Sequence, residues 1–227
     1  MNRSRDHVAV IDPGTRHPEL STFNAMARRS PLPLTYHLPA LWGMRSLLRD
    51  EEGLLGVIVL GSGSSVNAPE DWQLELAGWL RPRLSRGLPT LGLCFGLQFV
   101  VHLFGGVVAT LWGGHAMGGQ REVRLDADRL WGAARTGPLV VQHREGVTRL
   151  PDGFRVVGRS DTVAVEAVAH EAHPIWGFQS HPEADEGFLE ANHLKIDDPG
   201  PALAFGHALV DDFLTLVARL STTDSGR

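Results

Sequence analysis

Apolar positions along the chain follow two rhythms. Short runs rich in β-branched residues, each bounded by Gly, Pro or polar turns, recur at 8–11, 56–60, 88–93, 107–111, 139–142, 163–169 and 175–179. Runs of this length and composition predict strands. Between the early ones the spacing is helical: Leu41, Leu47 and Leu48 precede the second run, and Trp72, Leu76, Trp79, Leu80 and Leu84 precede the third. Pro69-Glu70 suits the opening of the latter helix, and Pro82 is expected to end or kink it. Strand–helix alternation implies βαβ crossovers and a parallel sheet. From 107 to 179 the strands follow one another closely, with turns such as Leu150-Pro151-Asp152-Gly153, which predicts antiparallel additions. A stripe of Leu203, Ala204, His207, Ala208, Val210, Phe213, Leu214, Val217 and Leu220 predicts a closing helix that begins near Pro199-Gly200-Pro201. The expectation is one α/β domain over 1–220: a central, mostly parallel sheet extended by antiparallel strands and flanked by helices. Residues 221–227 read as a frayed polar tail.

Composition narrows the chemistry. The 227 residues hold one cysteine, which excludes an internal disulfide, a CxxC redox pair and a cysteine-based zinc knuckle. A formal charge of −5 gives no bulk attraction for a phosphate backbone, so nucleic acid is not expected as a partner. No apolar run is long enough to cross a bilayer, and the first one is too short for a signal-peptide core. A cytoplasmic, reducing setting is expected, with no membrane partner. His170-Glu171-Ala172-His173 lacks the HExxH spacing and runs into Pro174, so it reads as a polar turn, and no metal is expected.

The segment Gly92-Leu93-Cys94-Phe95-Gly96 places the cysteine where a buried strand gives way to a helical pattern. Glycines two residues away on each side suit a sharp strand-to-helix elbow, in which the backbones crowd and the central side chain is pushed into solvent. The N-terminal end of the following helix favours thiolate over thiol, and the Phe95 amide is free to face an oxyanion. A buried structural cysteine fits the same spacing, so the partners must decide. Gln179-Ser180-His181-Pro182-Glu183 follows the last predicted strand. Residues at i and i+2 of an extended segment share a side, which would let Glu183 orient His181 toward Cys94. A plain surface turn is the competing reading. The strand at 56–60 runs into Gly61-Ser62-Gly63-Ser64-Ser65-Val66, a loop that lacks the Lys of a P-loop but can aim amides at an anion. A flexible turn accounts for that segment equally well.

Taken together, these motifs resemble the class I (triad-type) glutamine amidotransferase family. The Gly-x-Cys-x-Gly elbow is matched at 92–96 with the frequent Gln at Gln98, the His-Pro-Glu end at 181–183, and the oxyanion loop at 61–66. More weakly, Gln142-His143-Arg144-Glu145 and the following Leu150-Pro151-Asp152-Gly153-Phe154 resemble a region of GMP-synthase glutaminase domains. Ser62 departs from the family's loop glycine, Gly63 from its proline and Ser180 from its common Phe. The resemblance implies a flavodoxin-like class I amidotransferase fold and hydrolysis of the L-glutamine side-chain amide through a cysteine γ-glutamyl thioester. It implies Cys94, His181 and Glu183 as the catalytic group, Gly61, Ser62, Gly63 and Phe95 as the oxyanion hole, and Gln98, Gln142 and His143 as substrate contacts. No cofactor is implied, and the ammonia would go to a separate synthetase subunit. Two alternatives stay open: a stand-alone γ-glutamyl hydrolase or peptidase acting on other γ-glutamyl amides, and a degenerate subunit that only binds a partner.

Overall fold

The computed structural model describes residues 6–224. Its strands are β1 (His7–Ile11), β2 (Leu34–His37), β3 (Leu54–Val59), β4 (Thr90–Leu93), β5 (Val107–Thr110), β6 (Met117–Leu125), β7 (Arg135–His143), β8 (Glu145–Arg149), β9 (Phe154–Arg159), β10 (Ala167–His170) and β11 (Ile175–Phe178). The helices are α1 (Leu20–Arg29), α2 (Pro39–Trp42), α3 (Arg45–Arg49), α4 (Asp71–Ser85), α5 (Phe95–Leu103), α6 (Glu186–Ala191) and α7 (Gly200–Asp224). Nine strands form one sheet in the order β2-β1-β3-β4-β11-β10-β9-β6-β7, and β5 pairs with β8 in a separate antiparallel ribbon. The first five in that order run parallel and the remainder add antiparallel. This is the mixed α/β sheet expected from the alternation of runs.

β1, β4, β11 and the last four residues of β3 are buried on both faces, so they read as continuous apolar runs, while the edge strand β2 is only half-buried. Side-chain alternation still divides the core. Ala9, Ile11, Val57 and Val59 face the layer of α4 and α5, packing with Leu76, Leu80, Leu97 and Val100. Val8, Val10, Ile58 and Leu60 face α7, packing with Leu209, Val210, Phe213 and Leu214. Residues 200–222 of α7 are long and apolar enough to cross a bilayer by composition, contrary to the expectation from the apolar runs. Here that apolar stripe lies against the sheet, with Leu209, Val210, Phe213 and Leu214 fully buried.

Four strands lie outside the predicted runs. β6 is the clearest case: Met117–Glu122 pairs only with β7, because β9 joins β6 only at Arg124 and Leu125. Its first half is a two-stranded ribbon open to solvent and needs no apolar face. The 163–169 run is a strand only from Ala167. Ser160 Oγ accepts from the Thr162 and Val163 amides at 3.3 and 3.0 Å, curling 160–163 into a turn. The helical spacing around Leu41 and Leu47 divides into α2 and α3 at Gly43, whose φ is +68°.

Pro82 does not end α4, which runs three residues further. Gly78, whose carbonyl loses its helical partner, is exposed and can bond to water, while Leu80 and Leu84 are fully buried and hold the turn on the core. At the C-terminus, α7 continues through Ser221 to Asp224, into the stretch expected to fray. Residues 225–227 lie outside the described residues.

Candidate active site

β4 stops at Leu93 and α5 starts at Phe95, which leaves Cys94 alone to make the turn. Its backbone takes φ +50°, ψ −102°, a conformation that L residues adopt only at a cost. Cys94 N–H still donates to Phe178 O at 2.7 Å, so the β4–β11 ladder continues onto the turn itself. The flanking glycines are needed because backbone touches backbone. A Cβ at Gly92 would lie 2.6 Å from the Gly96 carbonyl, and one at Gly96 would lie 2.1 Å from Val59 O.

The elbow does not project its thiol into open solvent, as its geometry alone predicts. Cys94 is only 4% exposed. The loop after β3 and the β7–β8 connection wall it in, at the floor of a cleft of about 860 Å³. Its surroundings are polar: the Gln142 carbonyl accepts from Sγ and Gln179 Nε2 donates to it, each at 3.7 Å.

His181 arrives on the chain leaving β11, the strand paired with β4. Its N–H donates to Val140 O of β7 at 2.8 Å, and Ala184 N–H donates back to His181 O at 3.2 Å. The His-Pro-Glu segment is therefore a β-turn with Pro182 at its second position, where a fixed φ is favoured, and not the extended segment expected. The turn still brings His181 Nδ1 to 2.9 Å from Glu183 Oε1, with the pair 5% and 0% exposed. Burial by itself would push the imidazole down. The charges of Cys94 and Glu183 and the Glu183 hydrogen bond outweigh it, and His181 is held well above the usual histidine range while its Nε2 is buried with no hydrogen-bond partner. The shift favours the charged ring, whose Nδ1 side carries the Glu183 carboxylate.

Contacts that sequence patterning did not reveal hold this turn in place. α7 approaches it so closely that a Cβ at Gly206 would lie 2.7 Å from Pro182 O, and His207 Nε2–H donates to Ala184 O at 2.8 Å. The Phe188 ring lies 4.6 Å from the His181 ring. On the opposite side stands Gly61, where a Cβ would come within 2.7 Å of His181 Cε1. Of these, Gly61 left a signal in the sequence through its glycine loop, as did Gln179 beside the sulfur, which belongs to the same short motif as His181.

The remaining candidates line the same cleft in different ways. Ser62 Oγ donates to Pro13 O at 2.8 Å and accepts from the Ser64 amide at 3.1 Å, pinning the loop to the end of β1. Gly63 faces open space. The Phe95 amide is the first of α5 and has no helical acceptor, while its ring stacks on Phe99 in the core. Gln98 spends its side-chain nitrogen within the protein, donating to Glu145 O at 2.8 Å and to Gln179 Oε1 at 3.2 Å. Gln142 offers its carbonyl to the sulfur, and its side chain crosses over Gly118. His143 Nδ1–H donates to Glu145 O at 2.9 Å. Burial is the main reason that its pKa falls to about 4, with the Arg121 and His181 charges adding to the fall. This favours the neutral ring, with Nε2 as acceptor toward Arg121.

Three kinds of comparison point the same way. A family model described as glutamine amidotransferase class-I matches residues 45–196. The glutamine-hydrolysing GMP synthase of Wolinella succinogenes is 33% identical over 150 residues, 62% of this chain and 27% of that protein. That of Symbiobacterium thermophilum is 30% identical over 188 residues, 81% of this chain and 34% of that protein. A glutamine-hydrolysing GMP synthase of Archaeoglobus fulgidus, described as one subunit of that enzyme, is 33% identical over 140 residues, 60% of this chain and 68% of that one. The match thus spans only about a quarter to a third of the first two relatives' length. In structure, a GMP synthase subunit from Thermoplasma acidophilum superposes with a TM-score of 0.75 at 19% identity, covering 97% of this chain and 98% of that one. PurLQS from Thermotoga maritima gives 0.67 at 14% identity, covering 93% and 99%.

Proposed function

The chain belongs to the class-I glutamine amidotransferase family, and on that premise we propose that it hydrolyses the side-chain amide of L-glutamine through a thioester on Cys94. The observation that supports this reading most is that Cys94 and His181 line one cleft at the ends of two paired parallel strands, with Glu183 on the imidazole Nδ1 and the ring shifted toward its charged form. The Cys94 thiolate attacks the amide carbon, a C–S bond forms, and the oxygen takes up negative charge. Amides of Phe95 and of the Gly61–Ser62–Gly63 loop face that charge, each worth ~3 kcal/mol in comparable sites. His181 gives its proton to the nitrogen, the C–N bond breaks, and ammonia leaves. Water then attacks the γ-glutamyl thioester while neutral His181 takes its proton, releasing glutamate and restoring the charged pair. Glu183 holds the ring orientation and balances the imidazolium charge in both halves.

Gln98 and Gln142 act in this scheme by fixing the cleft around the sulfur, and backbone near Gln142 and His143 receives the substrate. The ammonia goes to a synthetase on a separate chain, which fits the relative whose name makes it one part of a larger enzyme. A reducing cytoplasm keeps the single thiol free for this chemistry.

Treatment with the glutamine-analogue electrophile diazo-oxo-norleucine, followed by mass spectrometry, is expected to label Cys94 alone. Amide hydrolysis across a panel of γ-glutamyl amides, with and without the synthetase partner, is expected to favour glutamine. A thiol that stays unlabelled under both conditions overturns the proposal, and a panel without preference for glutamine assigns the site to a broader γ-glutamyl hydrolase.

Gly61 offers a second check. Its Cβ would press on His181 Cε1 at 2.7 Å, so Gly61→Ala shifts the ring by a fraction of an ångström without touching the sulfur. A misplacement of 1 Å can cost about 100-fold in rate, so this smaller one is expected to cost about tenfold. The expected result is a fall of that order in kcat/KM with a thermal midpoint close to that of the parent chain.

A further inference from the structure

Two buried carboxamides stand in line beside the sulfur. Cys94 N–H donates to Phe178 O at 2.7 Å, which sets the next residue, Gln179, against the elbow. Gln179 is fully buried and Gln98 nearly so. Gln98 Nε2 donates to Glu145 O at 2.8 Å and to Gln179 Oε1 at 3.2 Å, and Gln179 Nε2 donates to Cys94 Sγ at 3.7 Å. The proposed mechanism uses Gln98 only to shape the cleft and gives Gln179 no part. A core glutamine that satisfies its own polar atoms would account for the burial, but not for which end meets the sulfur.

The polarity of this line is set at its far end. The Glu145 carbonyl can only accept, so the end of Gln98 that faces it is the nitrogen. The same nitrogen needs a second acceptor, so Gln179 turns its oxygen toward Gln98 and its nitrogen toward the sulfur. Reversing Gln179 would set two amide nitrogens against each other in a dry interior. Glu145 is itself fixed: its carbonyl also accepts from His143 Nδ1 at 2.9 Å, and its side chain accepts from Ser65 Oγ at 2.9 Å. The Gln142 carbonyl, also 3.7 Å from Sγ, can only accept from a thiol. Of these two groups on the sulfur, Gln179 is the one that prefers the anion.

We propose that Gln179 is a catalytic residue of this site: its Nε2–H bonds the anionic Cys94 sulfur, and Gln98, held by the Glu145 carbonyl, keeps that donor facing the right way. The inference rests on the amide-hydrolysis reading and adds to it a donor on the sulfur, separate from those on the substrate oxygen. Before attack, the bond stabilises the thiolate. As sulfur gives an electron pair to the amide carbon and becomes a neutral thioester, it accepts more weakly and the bond loosens. When water attacks the thioester, the C–S bond breaks and the pair returns to sulfur. Gln179 then meets the departing thiolate while His181 holds the proton taken from water.

The test follows thiolate formation by its ultraviolet absorbance as pH is raised. The chain has one cysteine, so with Cys94→Ala as the blank the signal belongs to Cys94. Gln179→Met keeps the length and loses the donor, and its midpoint is expected to lie about one pH unit above the parent's. The titratable and charged groups around the sulfur are His181 and Glu183 after β11, His143, Arg144 and Glu145 between β7 and β8, Arg16, His17 and Glu19 after β1, and Glu70 before α4. All are common to parent and variant, so the difference reports the one hydrogen bond. Gln98→Met frees the Gln179 amide to reverse and is expected to move the midpoint the same way by a smaller step. The double variant is expected to match Gln179→Met, since Gln98 acts on the sulfur only through Gln179. With glutamine as substrate, Gln179→Met is expected to lose about tenfold in kcat. An unmoved midpoint in Gln179→Met that melts like the parent overturns the proposal, as does a double variant whose shift is the sum of the single ones. Should Gln179→Met fail to fold, a parental midpoint in Gln98→Met overturns it instead. If Cys94 resists the electrophile in every variant, the hydrolysis reading fails, while the midpoints still decide whether Gln179 holds the sulfur anion.

Discussion

Cys94→Ala is expected to abolish glutamine hydrolysis while leaving a folded protein. The chain holds no other cysteine, and the groups beside the sulfur are a carbonyl and a carboxamide, neither of which can replace it as nucleophile. Loss of the nucleophile from a concerted group typically costs roughly 10⁶ in kcat, with a remnant from the oxyanion donors and binding. Steady-state ammonia release measures the loss, and a thermal melt checks the fold. A companion variant separates chemistry from architecture. Cys94 sits at φ +50°, a strain that alanine inherits and glycine does not. Cys94→Gly is therefore expected to be as inactive as Cys94→Ala yet about 1–2 kcal/mol more stable than it. Such a difference would mean that the fold bears a conformational cost at its nucleophile. Turnover surviving in either variant would remove Cys94 from the reaction.

Gly96→Ala is expected to have the largest effect on stability. Helix propensity alone favours the change by about 1 kcal/mol, since glycine is the poorer residue inside a helix. Packing decides the sign. The new Cβ would lie 2.1 Å from Val59 O and 2.8 Å from Val59 C, both backbone atoms of a central strand that cannot yield as a side-chain tip can. Either α5 lifts from the sheet or the elbow deforms, and overpacking of this kind costs about 3 kcal/mol or more. Denaturant unfolding should show a clear drop in midpoint. Gly63→Ala is the control in the neighbouring loop: nothing lies within 4 Å of its Cβ, and a change within about 0.5 kcal/mol is expected. Equal losses at the two positions would refute the packing argument.

Local patterning carried far because the site is built at strand ends. Buried parallel strands write themselves as apolar runs, so β1, β3, β4 and β11 were legible, and with them the positions of Cys94 and the His181 turn. The strands that escaped notice are those whose surroundings, not their residues, make them strands. β6 is largely polar and exposed, and it exists because β7 supplies its hydrogen bonds. Pro82 does not end α4 for the complementary reason: a lost backbone bond costs little where water can replace it.

The sequence by itself determined the mixed α/β architecture, the elbow glycines and the choice of Cys94, His181 and Glu183 as the proposed nucleophile, base and orienter, since each is encoded within a few consecutive residues. Tertiary structure alone decided how deeply the thiol lies, that the His-Pro-Glu segment turns instead of extending, that Gly61 and Gly206 must stay small, and that Gln179 turns its amide nitrogen toward the sulfur. Those facts depend on distances between segments far apart in the chain, and no local pattern records how closely two backbones will approach.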